Sequence, residues 1–486
     1  MKKIAFLSMF CFWFVFFVQC KKASFTEVSP IIVAPPIINT KVYYVATSGD
    51  DSRTLNQAKN PATPWKTIQK AANNMIAGDT VIIAGGTYTG KITIPVTCNG
   101  TVTSPTVFRN KPGDSVIVEG NNTGAVYEGL INLIGCSNIT LKGIKAQNSG
   151  WYGFDVEGGS NIAQNIFIDS CSTFNTLASG IYCNKTDKLI ISNNNIRKAC
   201  QRPTRETNGN GTQEDISVVT SSNFLITKNE VWDSNVPGTA GGEGIDAKGG
   251  SHDGEISNNY VHDIIPLGIY IDAGSGEEYN IRVFNNLLIS TGGFGVAGEL
   301  GGHAHEIFIY NNIVKESKSS GLVFQATGNG KFTNVYVVNN TFYNNCVNTT
   351  LSFIGDIGNY STNTANSNIV IKNNILYNNT PTGRYLFSIW HNLPNTHVIS
   401  NNAFYVFKPS NNGTNSFNAA NLTAADVLTD PLFNNPFNND FSIQASSPVI
   451  NKGVPITLPA STTLMFTKDY TGRDRGANWD MGAFEF

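Results

Sequence analysis

Charge is scarce in this 486-residue chain. Asp, Glu, Lys and Arg make up 14% of it, and 33 basic against 35 acidic residues leave a formal net charge of −2. That balance gives no global field for nucleic acid or an anionic membrane, so partners recognised by bulk charge are excluded. Cysteine pairs at zinc-like spacing are also lacking. Cys98, Cys136, Cys171, Cys183, Cys200 and Cys346 stand far apart and read as small buried hydrophobes, although an exported chain would permit disulfides. The one long apolar run, Ile4 to Val18 after a Met-Lys-Lys start, is too short for a comfortable membrane span and reads as an export signal. Cys20 stands where a bacterial lipoprotein carries its lipid, although Gln19 departs from the usual small residue. Ordinary secretion or a retained anchor is the alternative. Residues 21–40, with Pro30, Pro35 and Pro36, read as a tether.

Glycine (46 residues) and doubled asparagines are plentiful, a composition for short strands joined by tight turns. One strand type recurs as an apolar alternation that ends in Asn: LIISNNNI, FLITKNEV, GEISNNYV, IRVFNNLL, IFIYNNIV, VYVVNNTF, IVIKNNIL and HVISNNAF. Its Asn recurs at 194, 229, 259, 286, 312, 340, 374 and 402. Steps of about 30 residues with three short strands each predict the coils of an all-β, single-stranded right-handed parallel β-helix. Asn suits such a corner because it can donate and accept along the stack and tolerates the left-handed conformation. A second strand type precedes each Asn strand and usually starts with glycine, as in GIYCNKT, GIDAKGG, GIYIDAG and GFGVAGE. Alternation turns Ile245 and Ala247 inward and leaves Asp246 and Lys248 facing solvent.

The expected organisation is a signal over 1–20, the tether over 21–40 and an N-terminal strand and capping helix over 41–90. The β-helix coils follow over 91–429, and a C-terminal cap segment over 430–486. The capping helix is expected from about Trp65 to Met75, where Trp65, Ile68, Ala71, Ala72 and Met75 recur at helical spacing. The stretch YYVATSGDD…PWKTIQKAA…AGDTVIIAGGTY resembles the opening of secreted bacterial β-helix proteins of the pectate-lyase-like superfamily, including lyases of the pectate-lyase and chondroitinase-B type. The closing DPLFNNP…DYTGRDRGANWDMGAFEF is similar to the end of the same superfamily. The resemblance implies a polysaccharide partner and leaves the reaction open, since one scaffold hosts several chemistries. The tail charges Asp469, Arg473, Arg475, Asp480 and Glu485 are expected to form salt bridges within the cap.

Adjacent coils stack about 4.8 Å apart, so equivalent outward residues become neighbours. Asp246 and Lys248 then lie beside Tyr270 and Asp272, and Glu243 enters the same strand. Gly295 and Ala297 on the next coil leave room. Glu299 follows between glycines that suggest backbone kept clear for a ligand, with His303 and His305 just beyond. Carboxyls among Asp246, Asp272 and Glu299, tuned by Glu243 and Lys248, suit glycoside hydrolysis. Eliminative cleavage of a uronate is the alternative, with Lys248 as base and Ca²⁺ held by Glu243, Asp246 and Asp272. No Arg occurs between Arg205 and Arg282 to assist it. Non-catalytic glycan binding, as in an adhesin, is a third reading. A plain surface ion-pair ladder of Asp246, Lys248 and Asp272 is the structural one. Tyr270, Tyr182, Trp151, Trp390, His303 and His305 are the candidate sugar-contacting residues, with His391 beside Trp390. His252 and His262 read as supports of turns. No cofactor other than Ca²⁺ is implied, and a monomer in the periplasm, at the cell surface or secreted is expected.

Overall fold

The computed structural model describes residues 41–486 apart from 203–213, 235–241, 348–354, 362, 379–388, 391–396, 407–416, 418, 457 and 459–466. Cys20, the expected signal and tether, and His391 therefore lie outside the described residues. Trp390 is placed by its backbone alone, in a two-residue strand paired with Ile357–Asn359.

Each coil contributes one strand to each of three parallel sheets. The first sheet holds 11 described strands, the second 13 and the third 12. One coil runs from Ile245–Lys248 in the first sheet to His252–Ser257 in the second and Tyr260–Ile264 in the third. It then re-enters the first sheet at Ile269–Asp272, directly alongside Ile245–Lys248. The fold class expected from the repeat is thus the one observed. The interior is a continuous apolar column in which Ile216, Val218, Ile245, Ala247, Ile269 and Ile271 are almost wholly buried. All six described cysteines are buried, and none of them forms a disulfide.

The asparagine corner lies between the second and third sheets. Asn194 Nδ2 donates to Asn229 Oδ1 at 2.9 Å, and each following Asn donates to its successor at 3.0 Å, through 259, 286, 312, 340 and 374 to 402. The left-handed residue is the one before each ladder Asn, as at Asn258 (φ 55°), Asn285 (φ 55°) and Asn311 (φ 54°). The turn therefore divides two tasks that the sequence reading gave to one residue.

Both ends depart from expectation. The helix spans only Ile68–Ala72, with Thr67 accepting from Lys70 N–H. Trp65 is instead extended backbone: its N–H donates to Tyr44 O and its carbonyl accepts from Ala46 N–H. Its ring stacks on Tyr43 with centroids 5.5 Å apart. Asp51 accepts the N–H groups of Lys66 and Thr67 just ahead of the helix, as a side chain does at a helix N-terminus. The C-terminal segment is a lateral strap along the asparagine corner rather than an end cap. The left-handed asparagines Asn311, Asn339, Asn373 and Asn401 donate to the carbonyls of Lys468, Asp480, Val454 and Lys452. Of its charges, Arg475 and Glu485 form a buried salt bridge at 2.6 Å. Asp469 and Asp480 instead accept backbone N–H groups, from Thr471, Arg473 and Glu485 and from Asn451 and Phe486.

Candidate active site

The outer face of the first sheet carries two rows of side chains. Register aligns Asp155, Tyr182, Ser217, Asp246, Tyr270 and Gly295 in one row. It aligns Glu157, Asn184, Val219, Lys248, Asp272, Ala297 and Gln325 in the other. The expected neighbours therefore meet, Asp246 with Tyr270 and Lys248 with Asp272. Asp246 is not solvent-facing, however, for it is 1% exposed, whereas Lys248, Tyr270 and Asp272 are partly exposed. Nor does Gly295 leave open floor: a Cβ there would stand 2.4 Å from Leu267 Cδ1 and 2.5 Å from the Tyr270 ring. The ring of Tyr270 fills that space.

Glu299 joins the cluster from the turn Glu299–Gly301. Its Oε1 accepts from the Tyr270 hydroxyl at 3.2 Å and from Gln325 Nε2 at 2.7 Å. Gly298 before it is glycine because the next coil is close, not because a ligand is: a Cβ would lie 2.7 Å from Gly302 O and Lys331 N.

The partner of Lys248 is a residue the sequence reading missed. Lys248 Nζ donates to Glu214 Oε1 at 2.5 Å and stands 3.7 Å from Asp246 Oδ2. Ser217 Oγ holds the other Glu214 oxygen at 2.7 Å. A signal for Glu214 was present: aligning EDISVV with EGIDAK puts Glu214 in the place of Glu243, one coil earlier. Of the ion-pair ladder in the structural reading, the Lys248–Asp246 pair is present, and a partly buried bridge to Glu214 stands where Lys248–Asp272 was read.

Burial and mutual repulsion shape these groups. Glu243 is pushed up to about 7, first by burial and then by the Glu214 charge. Asp246 is pushed well up by burial, which with the charges of Glu214, Asp272 and Glu243 outweighs the pull of Lys248. Asp272 rises to about 6 through burial, against the lowering effect of a hydrogen bond from Gly274 N–H. Burial works against the Lys248 ammonium, but the charges of Glu214, Asp246 and Glu243 more than compensate and hold it protonated. Asp246 Oδ1 is buried with no hydrogen-bond partner. The arrangement offers protonated and ionised carboxyls side by side, the requirement for concerted acid/base work.

Three candidate sugar contacts fall elsewhere. Trp151 is 1% exposed, packed edge-on against Tyr127 and Tyr152 and overlaid by Arg202, so its faces are not offered to a ligand. His303 and His305 belong to the second sheet, where they meet Glu277, Thr333 and Tyr279. Chain continuity suggested nearness to Glu299, but the coil turns a corner between them. Tyr182 is half-buried and stacks on Tyr152 at 4.4 Å, at the edge of the carboxyl cluster.

With this geometry in view, residues 43–215 match the sequence family described as the Pel9A-like, right-handed beta helix region. The chain is 34% identical over 86 residues to pectate lyase PEL9 of Emericella nidulans, covering 18% of this chain and 20% of that protein. The crystal structure of pectate lyase Pel9A superposes with a TM-score of 0.52 at 13% identity, covering 92% of this chain and 97% of that one. XylC in complex with xylose gives 0.56 at 13% identity, covering 91% and 98%. The fold is the pectate-lyase-like right-handed β-helix. That family match ends at Asp215, so it stops short of Glu243, Asp246, Lys248, Asp272 and Glu299.

Proposed function

We propose that this β-helix is a polysaccharide-cleaving enzyme working on the outer face of its first sheet, and that it hydrolyses a glycosidic bond. The observation that supports this most is the pair Asp272 and Glu299 on adjacent coils. Asp272 has its acid range raised to about 6, so it still holds a proton at mildly acidic pH. Glu299 accepts two donors, Tyr270 and Gln325. In this reading Asp272 protonates the leaving oxygen, and Glu299 acts on the opposite side of the bond as base or nucleophile. Burial, with the charges of Glu299 and Glu214, raises the Asp272 range, and the Lys248 ammonium works against that rise. Tyr182 and Tyr270 border the face on which the chain would lie.

The pectate-lyase relatives favour a second reading, eliminative cleavage of a uronate. The donor chemistry is right for Ca²⁺, but the geometry does not close: among the described residues Glu243, Asp246 and Asp272 do not bring three ligand oxygens within reach of one ion, and the Lys248 ammonium stands 3.7 Å from Asp246. The base would have to be Lys248, and its bridge to Glu214 opposes that role by holding the ammonium. Export and a lipid anchor at Cys20 complete the proposal, because polymeric substrates lie outside the cell. Among the described residues, no helix is long and apolar enough to cross a membrane.

A panel of neutral and uronate polysaccharides tests the reading. Hydrolysis releases reducing ends without ultraviolet absorbance from an unsaturated product, and chelation leaves the rate unchanged. Absorbance at the new double bond, lost on chelation, would replace hydrolysis with elimination. No cleavage anywhere on a broad panel, with saturable glycan binding, would replace the enzyme with a binding protein.

A further inference from the structure

The second sheet carries a cluster that the cleavage chemistry does not use. In His303-Ala304-His305 the two imidazoles share one face of a strand, because residues two apart point the same way. The strand His303–Tyr310 pairs with Glu277–Phe284, and the register sets Glu277 beside His303 and Tyr279 beside His305. His303 Nδ1 stands 3.7 Å from Glu277 Oε1, and the two imidazole centroids are 4.5 Å apart. One ligand atom from each of Glu277, His303 and His305 falls within 4.8 Å of the other two. Donors around a tetrahedral zinc are roughly 3.4 Å apart, given bonds of about 2.1 Å, so small side-chain rotations close the set.

The surroundings are those of a ligand set. His303 Nε2 lies 2.9 Å from Thr333 Oγ1, a bond that fixes the ring and leaves Nδ1 turned to Glu277. Tyr279 stacks on His305 at 5.2 Å and on His252 at 4.6 Å, which limits the rotation of His305.

We infer that Glu277, His303 and His305 form a binding site for a first-row transition-metal dication of the zinc class, with a fourth position open to solvent. Two imidazoles and one carboxylate suit zinc, nickel or copper rather than calcium, which separates this site from the oxygen cluster of the first sheet. The site also joins two turns that border the cleavage face. His303 N–H donates to Gly276 O at 2.8 Å and Gly302 N–H to Gly274 O at 2.9 Å, next to the turns that follow Asp272 and precede His303. Metal bound here would staple those coils.

The test uses the untagged chain, stripped with chelator. Titration with Zn²⁺ followed by calorimetry should give one site per chain, and Co²⁺ should produce the visible absorption of low-coordinate cobalt. His303→Ala and His305→Ala should each abolish both signals, and Glu277→Gln should weaken binding at least tenfold. Thr333→Val should weaken it about tenfold by releasing the His303 ring. His262→Ala, at a histidine on the third sheet, should change nothing, and circular dichroism should show every variant folded. No saturable binding, or binding that survives the His303→Ala/His305→Ala double variant, overturns the inference. The readout is independent of any catalytic activity, so failure here leaves the cleavage reading untouched, and the reverse holds too.

Discussion

The asparagine corner and the carboxyl face are both columns of like residues stacked coil upon coil, and they behave in opposite ways. An Asn side chain carries a donor and an acceptor, so identical residues satisfy one another at 3.0 Å through successive coils. A carboxylate only accepts, so stacked carboxyls repel one another, and burial with neighbouring charge raises the ranges of Glu243, Asp246 and Asp272. The repeat that stabilises the fold at one corner concentrates unfavourable charge at another. Stored repulsion of that kind marks a functional site more often than a structural one.

Exchanging the two chemistries tests the contrast. Asn312→Asp puts a carboxylate into the amide column. It removes the donor to Asn340 and to Val283 O, and it should destabilise by about 4 kcal/mol in urea unfolding. The converse, Asp155→Asn, should stabilise. Burial and the Glu157 charge raise Asp155 to about 7 when folded, against about 3.9 unfolded. The folded state then binds more protons between those values, so stability falls as pH rises from about 4 to about 7. The variant should lack that fall, with a gain on the order of 3 kcal/mol at pH 8 and almost none at pH 4, seen as a pH-dependent difference in melting temperature. Lys248→Met leaves Glu214 and Asp246 without their cation and should cost about 2 kcal/mol at pH 8 in urea unfolding. The smallest stability effect should come from Tyr182→Ala, within about 1 kcal/mol by thermal unfolding, since it removes one face of a half-buried stack on Tyr152.

The contrast also explains what could be read from the chain. The coils were legible because the amide column requires the same residue at each step, from Asn194 to Asn402. Neighbours on the first sheet were legible for the same reason, since one frame fixes the register that pairs Lys248 with Asp272. Three things were not. Glu214 sits just before its strand, outside the alternating pattern, and only its alignment with Glu243 marks it. The burial of Asp246 depends on side chains arriving from other coils, which a single-strand alternation cannot show. His303 and His305 follow Glu299 closely in the chain, yet a corner of the coil turns them onto another sheet. Chain proximity was a poor guide wherever a sheet boundary intervened.

The central claim is that the carboxyl column performs chemistry whereas the amide column only holds the coils together. The most direct measurement compares cleavage rate and melting temperature for Glu299→Gln on whichever polysaccharide the native chain cleaves best. Gln keeps an acceptor for Tyr270 and Gln325, so the melting temperature should stay within a degree or two. The rate should fall at least 100-fold, the typical contribution of a general acid or base. An undiminished rate in the folded variant would contradict the account.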